Sequence, residues 1–281
     1  PTLTTSRGVG ELILEALDHG ATRILVGCGD SGINDGGAGM ARALGARFLD
    51  AEGRELPEGG GALERLERID LAGLDPRLAG VRIDAAVNWH NMLLGPRGVA
   101  RVFGPQKGAT PEQVEALERG MTRHAAAILA ATGRDVAGMA GAGASGGLGA
   151  GLAGLAGATL HPRFDIMLDY LDFDRLLARA DLVITAEGAL DGQSPYGKVP
   201  CEVARRAEAL GVPTVALAGT IGKGARQTYE HGIAAYASIM RRPCSLGKAI
   251  DEGGKLLRAA AENTMRMLLV GQRLAWRARG A

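Results

Sequence analysis

Aromatic residues are scarce, at 4% of the 281-residue chain, so any core must be built mostly from Ala, Leu, Val and Ile. Cysteine is scarcer. Cys28, Cys201 and Cys244 are odd in number and share no metal-ligand spacing, which fits a reducing, cytoplasmic setting better than a disulfide framework. The five histidines are scattered and form no zinc motif. Charge of one sign is lacking too: the formal net charge is +1 with both signs interspersed, which excludes a field suited to nucleic acid or an anionic membrane surface. No apolar run reaches membrane-spanning length, and no signal peptide precedes the first helix. The chain starts at Pro1 without an initiator Met, which leaves open whether a longer protein has been cut. The phosphate loop G-x-x-x-x-G-K-[ST] is missing throughout, so a P-loop kinase is excluded. No internal repeat is visible.

Glycine is abundant. The 44 glycines lie in clusters without a strict period, which rules out collagen. The first cluster follows the apolar run Ile24-Leu25-Val26 and carries Asp30, Ser31, Asn34 and Asp35 before a short helix over 40–44. A strand, a glycine-rich turn and a helix N-terminus can together hold an anion, because missing Cβ atoms let the backbone approach and free N–H groups point at the ligand. The second cluster, 138–157, carries Leu148, Leu152 and Leu155 at helical spacing in its second half. It therefore reads as a glycine loop entering a small-residue helix rather than as a flexible linker.

The remaining pattern is α/β. Helices are expected over 10–17, where Leu12, Ile13, Ala16 and Leu17 form a face capped by Thr5 or Ser6, and over 111–133. The second opens with the capping box Thr110-Pro111-Glu112-Gln113 and carries His124 as a half-buried structural residue. Strands are expected over 46–50 and 81–87, with short helical pieces over 63–78. From 181 the alternation becomes regular: strands at 181–185, 212–218 and 234–239, helices at 197–210 and near 226–231, and a long final helix capped by Ser245. Alternation of this kind means a parallel sheet with sites at the carboxyl ends of its strands. The expected fold is two-lobed α/β, with a glycine-loop α/β lobe over 1–180 and a Rossmann-like parallel-sheet lobe over 181–281.

Four stretches bear on chemistry. Gly27-Cys28-Gly29-Asp30-Ser31-Gly32 matches the dinucleotide fingerprint G-x-G-x-x-G, with Asp50 eighteen residues after Gly32, although Asn34-Asp35-Gly36-Gly37 delays the helix. Glu187 and Asp191 lie four apart in an expected turn, followed by Lys198 at a helix start. Such a set suits phosphoryl transfer, where carboxylates hold Mg²⁺ or orient the hydroxyl and a lysine neutralises the moving charge; a solvated loop with a capping Asp is the plain alternative. Lys107 precedes a helix N-terminus and can meet a carboxylate or phosphate. Asn88 and His90, at the polar end of the 81–87 strand, are pocket candidates.

Taken together these segments resemble the glycerate kinase family of the bacterial glycerate 2-kinase type. The resemblance rests on Thr4-Thr5-Ser6-Arg7-Gly8 with Gly10-Glu11-Leu12-Ile13, Asn34-Asp35-Gly36-Gly37-Ala38-Gly39-Met40, Leu74-Asp75-Pro76-Arg77-Leu78, Phe103-Gly104-Pro105-Gln106-Lys107-Gly108-Ala109, Gly141-Ala142-Gly143-Ala144 with Gly146-Gly147, and Leu182-Val183-Ile184-Thr185 with Glu187-Gly188, Asp191, Gln193, Gly197-Lys198 and Pro200. It implies a two-lobed kinase that phosphorylates glycerate or a related small hydroxy acid from ATP with Mg²⁺. It also implies a further strand and a lysine-bearing loop ahead of residue 1, without which the second lobe is incomplete. On this reading Asp191 or Asp35 orients the hydroxyl or takes its proton, Glu187 and Asp191 lie near Mg²⁺, and Lys198 and Lys107 neutralise charge. Ser31, Asn34, Gly36 and Gly37, with Gly141, Gly143, Gly146 and Gly147, cradle phosphates and the substrate carboxylate, and Asn88 and His90 line the pocket. The partners expected are ATP and the hydroxy acid, with a homodimer admitted and nucleic acid and membrane excluded.

The chain departs from the family pattern in three places. It has Gly29-Asp30-Ser31-Gly32-Ile33-Asn34-Asp35 where Gly-Gly-Ser-Ala-Thr-Asn-Asp is usual. It has Val87-Asn88-Trp89-His90-Asn91-Met92 where Cys-Asp-Val-Thr-Asn-Pro is usual, and Ala189 replaces an Arg. These changes point to an altered hydroxy acid. With the missing N-terminal portion they keep a non-catalytic ligand-binding relative open, and the G-x-G-x-x-G match keeps a nucleotide-dependent oxidoreductase open.

Overall fold

A computed structural model describes residues 1–279. Two compact units divide the chain, Pro1–Met167 and Leu168–Ala281.

In the first unit, α1 (Arg7–Asp18) is followed by β1 (Arg23–Gly27), α2 (Ala38–Ala43) and β2 (Arg47–Leu49). Then come β3 (Arg68–Asp70), β4 (Arg82–Val87), α3 (Val99–Phe103), α4 (Pro111–Thr132), α5 (Ala144–Leu155), β5 (Thr159–Pro162) and α6 (Arg163–Tyr170), which runs past the division. β1, β4 and β5 form a parallel sheet in the order β1-β4-β5. The parallel sheet was expected; β3 was not. It lies where short helical pieces were anticipated and pairs antiparallel with β2 through Phe48 and Ile69, both buried, while the helical pieces reduce to single 3₁₀ turns at Gly60–Arg65 and Pro76–Gly80.

The scarcity of aromatics shapes this core. Phe48 is the one aromatic among the large side chains that are fully buried in the described residues; the others are Leu, Ile and Met. α1 buries Gly10, Ile13 and Leu17, while Leu12 is 72% exposed, so the expected face is rotated. Gly10 sets that rotation: a Cβ there would lie 2.3 Å from the Met40 carbonyl oxygen, so only glycine lets α1 and α2 pack this closely. The capping box of α4 forms as expected, and its helix ends at Gly133 in the left-handed region.

The second unit holds α7 (Phe173–Leu177), β6 (Val183–Leu190), α8 (Val199–Ala209), β7 (Thr214–Ile221), β8 (Ile233–Ser238), α9 (Leu246–Asp251) and α10 (Gly253–Arg279). β6, β7 and β8 are parallel in that order, the Rossmann-like alternation anticipated. Three expectations are corrected. β6 continues five residues past 185, because Glu187, Ala189 and Leu190 stay in register with Ala218, Thr220 and Ile221. The helix near 226–231 is a 3₁₀ turn. Ser245 caps the short α9 by accepting from the Lys248 N–H, and the long helix restarts at Gly253-Gly254.

Candidate functional site

Asp35 is the hub of the first unit. It is fully buried, and its carboxylate accepts four hydrogen bonds. Oδ2 accepts from the Ser6 N–H (2.8 Å), the Ser6 hydroxyl (2.8 Å) and the Gly39 N–H (3.0 Å), and Oδ1 accepts from the Gly37 N–H (3.1 Å). Ser6 Oγ in turn accepts from the Met40 N–H at 2.9 Å. Ser6 sits at the N-cap of α1, but its hydroxyl makes no capping bond and binds Asp35 instead. The carboxylate thus ties α1 to the N-terminus of α2. With that many donors already on it, Asp35 suits anchoring rather than the proton-taking role expected of it.

The two glycine clusters form one structure. The Gly36 N–H donates to the Gly146 carbonyl at 3.0 Å, and a Cβ on Gly146 (φ +69) would lie 2.0 Å from the Ile33 carbonyl oxygen. That approach and that backbone region both demand glycine. α5 therefore opens on a loop, as anticipated, with Ser145, Gly146 and Gly147 in the left-handed region inside its first turn. Four amides of the expected phosphate cradle are not free. The N–H groups of Gly36, Gly37, Gly143 and Gly147 are already bonded within the protein, to Gly146 O, Asp35 Oδ1, Asn91 O and Gly143 O. Gly141 is buried too, packed on Val87. These four amides are therefore not free to meet an anion, and the glycines at 143, 146 and 147 are required by close backbone approaches.

Side chains take over the ligand-facing role. A pocket of about 610 Å³ is lined by Cys28, Gly29, Asp30, Ser31, Gly32, Asn88, Asn91, Phe103, Gln106, Lys107, Ser145, Gly146 and Arg163. Of the expected residues it collects Ser31, Asn88, Lys107 and Gly146. His90 lies outside the lining; its N–H donates to Asn88 Oδ1 in a tight turn, and Asn91 faces the pocket in its place. Lys107 is half-buried, and its ammonium donates to the Ile33 carbonyl at 2.7 Å and lies 3.5 Å from Ser31 Oγ. Burial lowers its pKa, while the charge of Asp35 opposes the shift. Burial also pushes the Cys28 thiol up to about 11, so it stays protonated and is no nucleophile at neutral pH. Asn34 is fully buried, and neither its amide nitrogen nor its oxygen has a hydrogen-bond partner. Ser145 and Arg163 were missed by sequence reasoning. Ser145 is hidden inside a glycine run, and Arg163 follows Pro162 with no motif around it.

His124 supports the loops from below. It is fully buried, more so than anticipated, with Nε2 2.9 Å from the Gly36 carbonyl. A carbonyl only accepts, so Nε2 carries the proton and Nδ1, buried without a partner, is bare. Burial lowers the imidazole pKa below its ordinary 6.5. The unfolded chain therefore binds this proton more readily than the folded one. The stability tied to His124 is present in full above pH 6.5 and falls as the pH drops below it. Between pH 7.5 and 5.5 the native chain should therefore lose more unfolding free energy than His124→Gln, whose amide keeps a donor near Gly36. Urea titrations at the two pH values measure the difference; equal losses in the two proteins would refute it.

In the second unit, Asp191 lies just past the carboxyl end of β6. Its Oδ1 accepts from the Gln193 N–H (2.9 Å), and both oxygens face the Lys198 ammonium (3.2 and 3.3 Å), which also reaches the Ala189 carbonyl (3.3 Å). The Gln193 N–H, and after it Lys198, hold the Asp191 pKa below the ordinary carboxylate value. Lys198 is the N-cap residue of α8. Glu187 is not in the same turn, contrary to expectation. It sits four strand positions back, about 13 Å along an extended chain. Among the described residues no three His, Cys, Asp or Glu side chains gather as a metal cluster. Mg²⁺ commonly needs only one or two carboxylates beside substrate phosphates, and Asp191 offers one.

The dinucleotide fingerprint is not built. Its third glycine should pack a helix onto the sheet, but a Cβ on Gly27, Gly29 or Gly32 would meet nothing within 4 Å, and α2 starts only at Ala38. The close approaches occur instead at Gly36, Gly37 and Gly39.

Comparison with known proteins agrees with the kinase side of the sequence reading. The family model described as the glycerate kinase family matches residues 1–269. A glycerate kinase of Halalkalibacterium halodurans is 44% identical over 94% of this chain and 69% of its own length. The glycerate 2-kinase of Escherichia coli is 42% identical over 97% of this chain and 72% of its own. The crystal structure of a putative glycerate kinase 2 from Salmonella typhimurium LT2 superposes with a TM-score of 0.85 at 44% identity, covering 97% of this chain and 71% of that one. With this fold, these motifs in this order and these relatives, the chain belongs to the glycerate kinase family.

Proposed function

We propose that the chain transfers the γ-phosphoryl group of ATP to a hydroxyl of glycerate or a closely related small hydroxy acid. The observation that carries the reading is the first unit's pocket. A half-buried lysine is fixed there by a backbone carbonyl among hydroxyls and carboxamides, the chemistry that holds a small polyhydroxy anion. The second unit supplies a carboxylate and lysine pair at a strand's carboxyl end. Phosphoryl transfer asks for positioning and charge neutralisation rather than covalent chemistry, and side chains of these kinds supply such functions. Asp191 would hold Mg²⁺ together with the ATP phosphates, and the ion would neutralise charge on the group in transfer. Cys28, Cys201 and Cys244 are all free thiols, which supports a reducing cytoplasmic setting. No helix among the described residues is long and apolar enough to cross a membrane.

A coupled assay of ADP release across glycerate, lactate, glycolate and tartronate tests the reading. Glycerate or one of its near relatives should be turned over, and release with none of them would overturn the proposal. Lys107→Met keeps the aliphatic stem and removes the charge. It should lower kcat/KM by roughly 10²–10³-fold, a larger effect than the modest fall in stability from losing the bond to the Ile33 carbonyl. A fall in melting temperature that matches the loss of activity would assign Lys107 to structure instead.

A further inference from the structure

One pocket residue stands out on physical grounds. Asp30 takes φ 42, in the left-handed region that L residues enter at a cost, the least for Asn and Asp. Glycine would hold the same turn freely, Gly29 precedes it, and glycine is the usual residue here in the family pattern. The chain carries a carboxylate at this point instead. Asp30 is exposed and lines the pocket of about 610 Å³, and it is the one acid in that lining. No hydrogen bond or ion pair among the described residues engages its carboxylate. Lys107, in the same lining, gives its ammonium to the Ile33 carbonyl. A negative charge thus stands without an ion-pair partner at the edge of a pocket that otherwise suits an anion.

We infer that Asp30 is a specificity-determining residue that acts as a charge filter: it admits an acid with one negative charge and disfavours one that brings a second carboxylate or a phosphate. Each further charge on the ligand meets repulsion from Asp30, which grows with the charge added and is screened by salt. Phosphoryl transfer adds close to two negative charges to the acid. The same repulsion therefore weighs more on the phosphorylated product than on the substrate, and it favours product release. The left-handed turn at Asp30 then has a use, since glycine would leave this edge uncharged. For the identity of the acid and its product this inference rests on the phosphotransferase reading.

Glycerate and tartronate test it, because tartronate replaces a hydroxymethyl group by a carboxylate on the same short frame. Steady-state kinetics and calorimetry on the whole chain compare the native protein with Asp30→Asn and Asp30→Gly. Asp30→Asn keeps the size and takes the left-handed conformation readily, so it removes the charge alone. It should raise kcat/KM for tartronate relative to glycerate about two- to fivefold at low ionic strength, the range of an exposed charge interaction. Any effect on ATP cancels in that ratio. The gain should shrink toward none in about 0.5 M salt. Without ATP, the Kd for phosphoglycerate should fall about four- to twentyfold while that for glycerate moves less. Asp30→Gly should shift both ratios the same way, with a melting temperature that holds or rises. The inference is overturned if Asp30→Asn leaves both ratios as they are in the native chain, or if the shift is the same at both salt concentrations. It is also overturned if Asp30→Gly alone produces the shift, which would make the effect one of shape, or if the native chain binds none of the three acids. Should the native chain bind them without turnover, and Asp30→Asn shift the Kd values as stated, the charge filter stands and the phosphotransfer reading falls alone.

Discussion

Asp35→Ala is expected to lower the unfolding free energy by about 3–5 kcal/mol, because it strips the acceptor from several buried donors at once. The Ser6 N–H and hydroxyl and the Gly37 and Gly39 N–H groups all point at this one carboxylate. Water could reach them only by opening the contact between α1 and α2. Asp35→Asn keeps one acceptor oxygen but turns an NH₂ toward donors, so it should cost about half as much. Urea unfolding measures both. A carboxylate acting as a proton acceptor would give a different signature, with kcat collapsing while the unfolding midpoint stays put. The anchor predicts that activity and stability fall together, and that Ser6→Ala moves them the same way by about 1 kcal/mol.

That hub shows how far the chain could be read in advance. Asn34-Asp35-Gly36-Gly37 was recognisable from its unusual composition and its place after an apolar strand, and the parallel strands β1, β4, β6, β7 and β8 were recognisable from their apolar runs. The role of Asp35 was not, because its main partner, Ser6, lies 29 residues away and looks like a plain helix cap. The G-x-G-x-x-G match is incidental for a related reason: the pattern is local, but the glycine requirement arises from approaching backbones, and those come at Gly36, Gly37 and Gly146. Glu187 falls in a polar stretch after the apolar run at 181–185 and so reads as part of a turn, yet the strand runs through it and the Gly188 carbonyl faces Gly219. β3 and β5 are three and four residues long, too short for periodicity to declare them, and Arg163 follows directly on β5. What pattern reveals is the repeating element. What it hides is the single long-range contact, and much of the candidate site is made of such contacts.

Asp191→Asn should show the opposite separation, with kcat falling roughly 10²–10⁴-fold and the unfolding midpoint hardly moving. The substitution preserves size, and its carboxamide oxygen can still accept from the Gln193 N–H. It removes only the charge that faces Lys198, in a pair that is about one-third exposed and so contributes little to folding. The Gln193 N–H and Lys198 hold the Asp191 pKa below the ordinary carboxylate value, so the group stays ionised throughout the neutral range and is a weak proton acceptor. Its use is then its fixed negative charge, which positions the hydroxyl or shares a cation with the phosphates, and any limb of the kcat profile between pH 5 and 8 should not arise from its titration. Lys198→Met should act in step: kcat falls while the chain stays folded, and the double variant loses little more than either single one, because the two side chains work as a unit. Additive losses in that cycle would show that Asp191 and Lys198 serve separate steps. An unfolding midpoint that drops with kcat would reduce the pair to a structural link between the end of β6 and the start of α8. Set beside Asp35, the comparison divides the two carboxylates by what each loses, one the fold of the glycine loops and the other the rate.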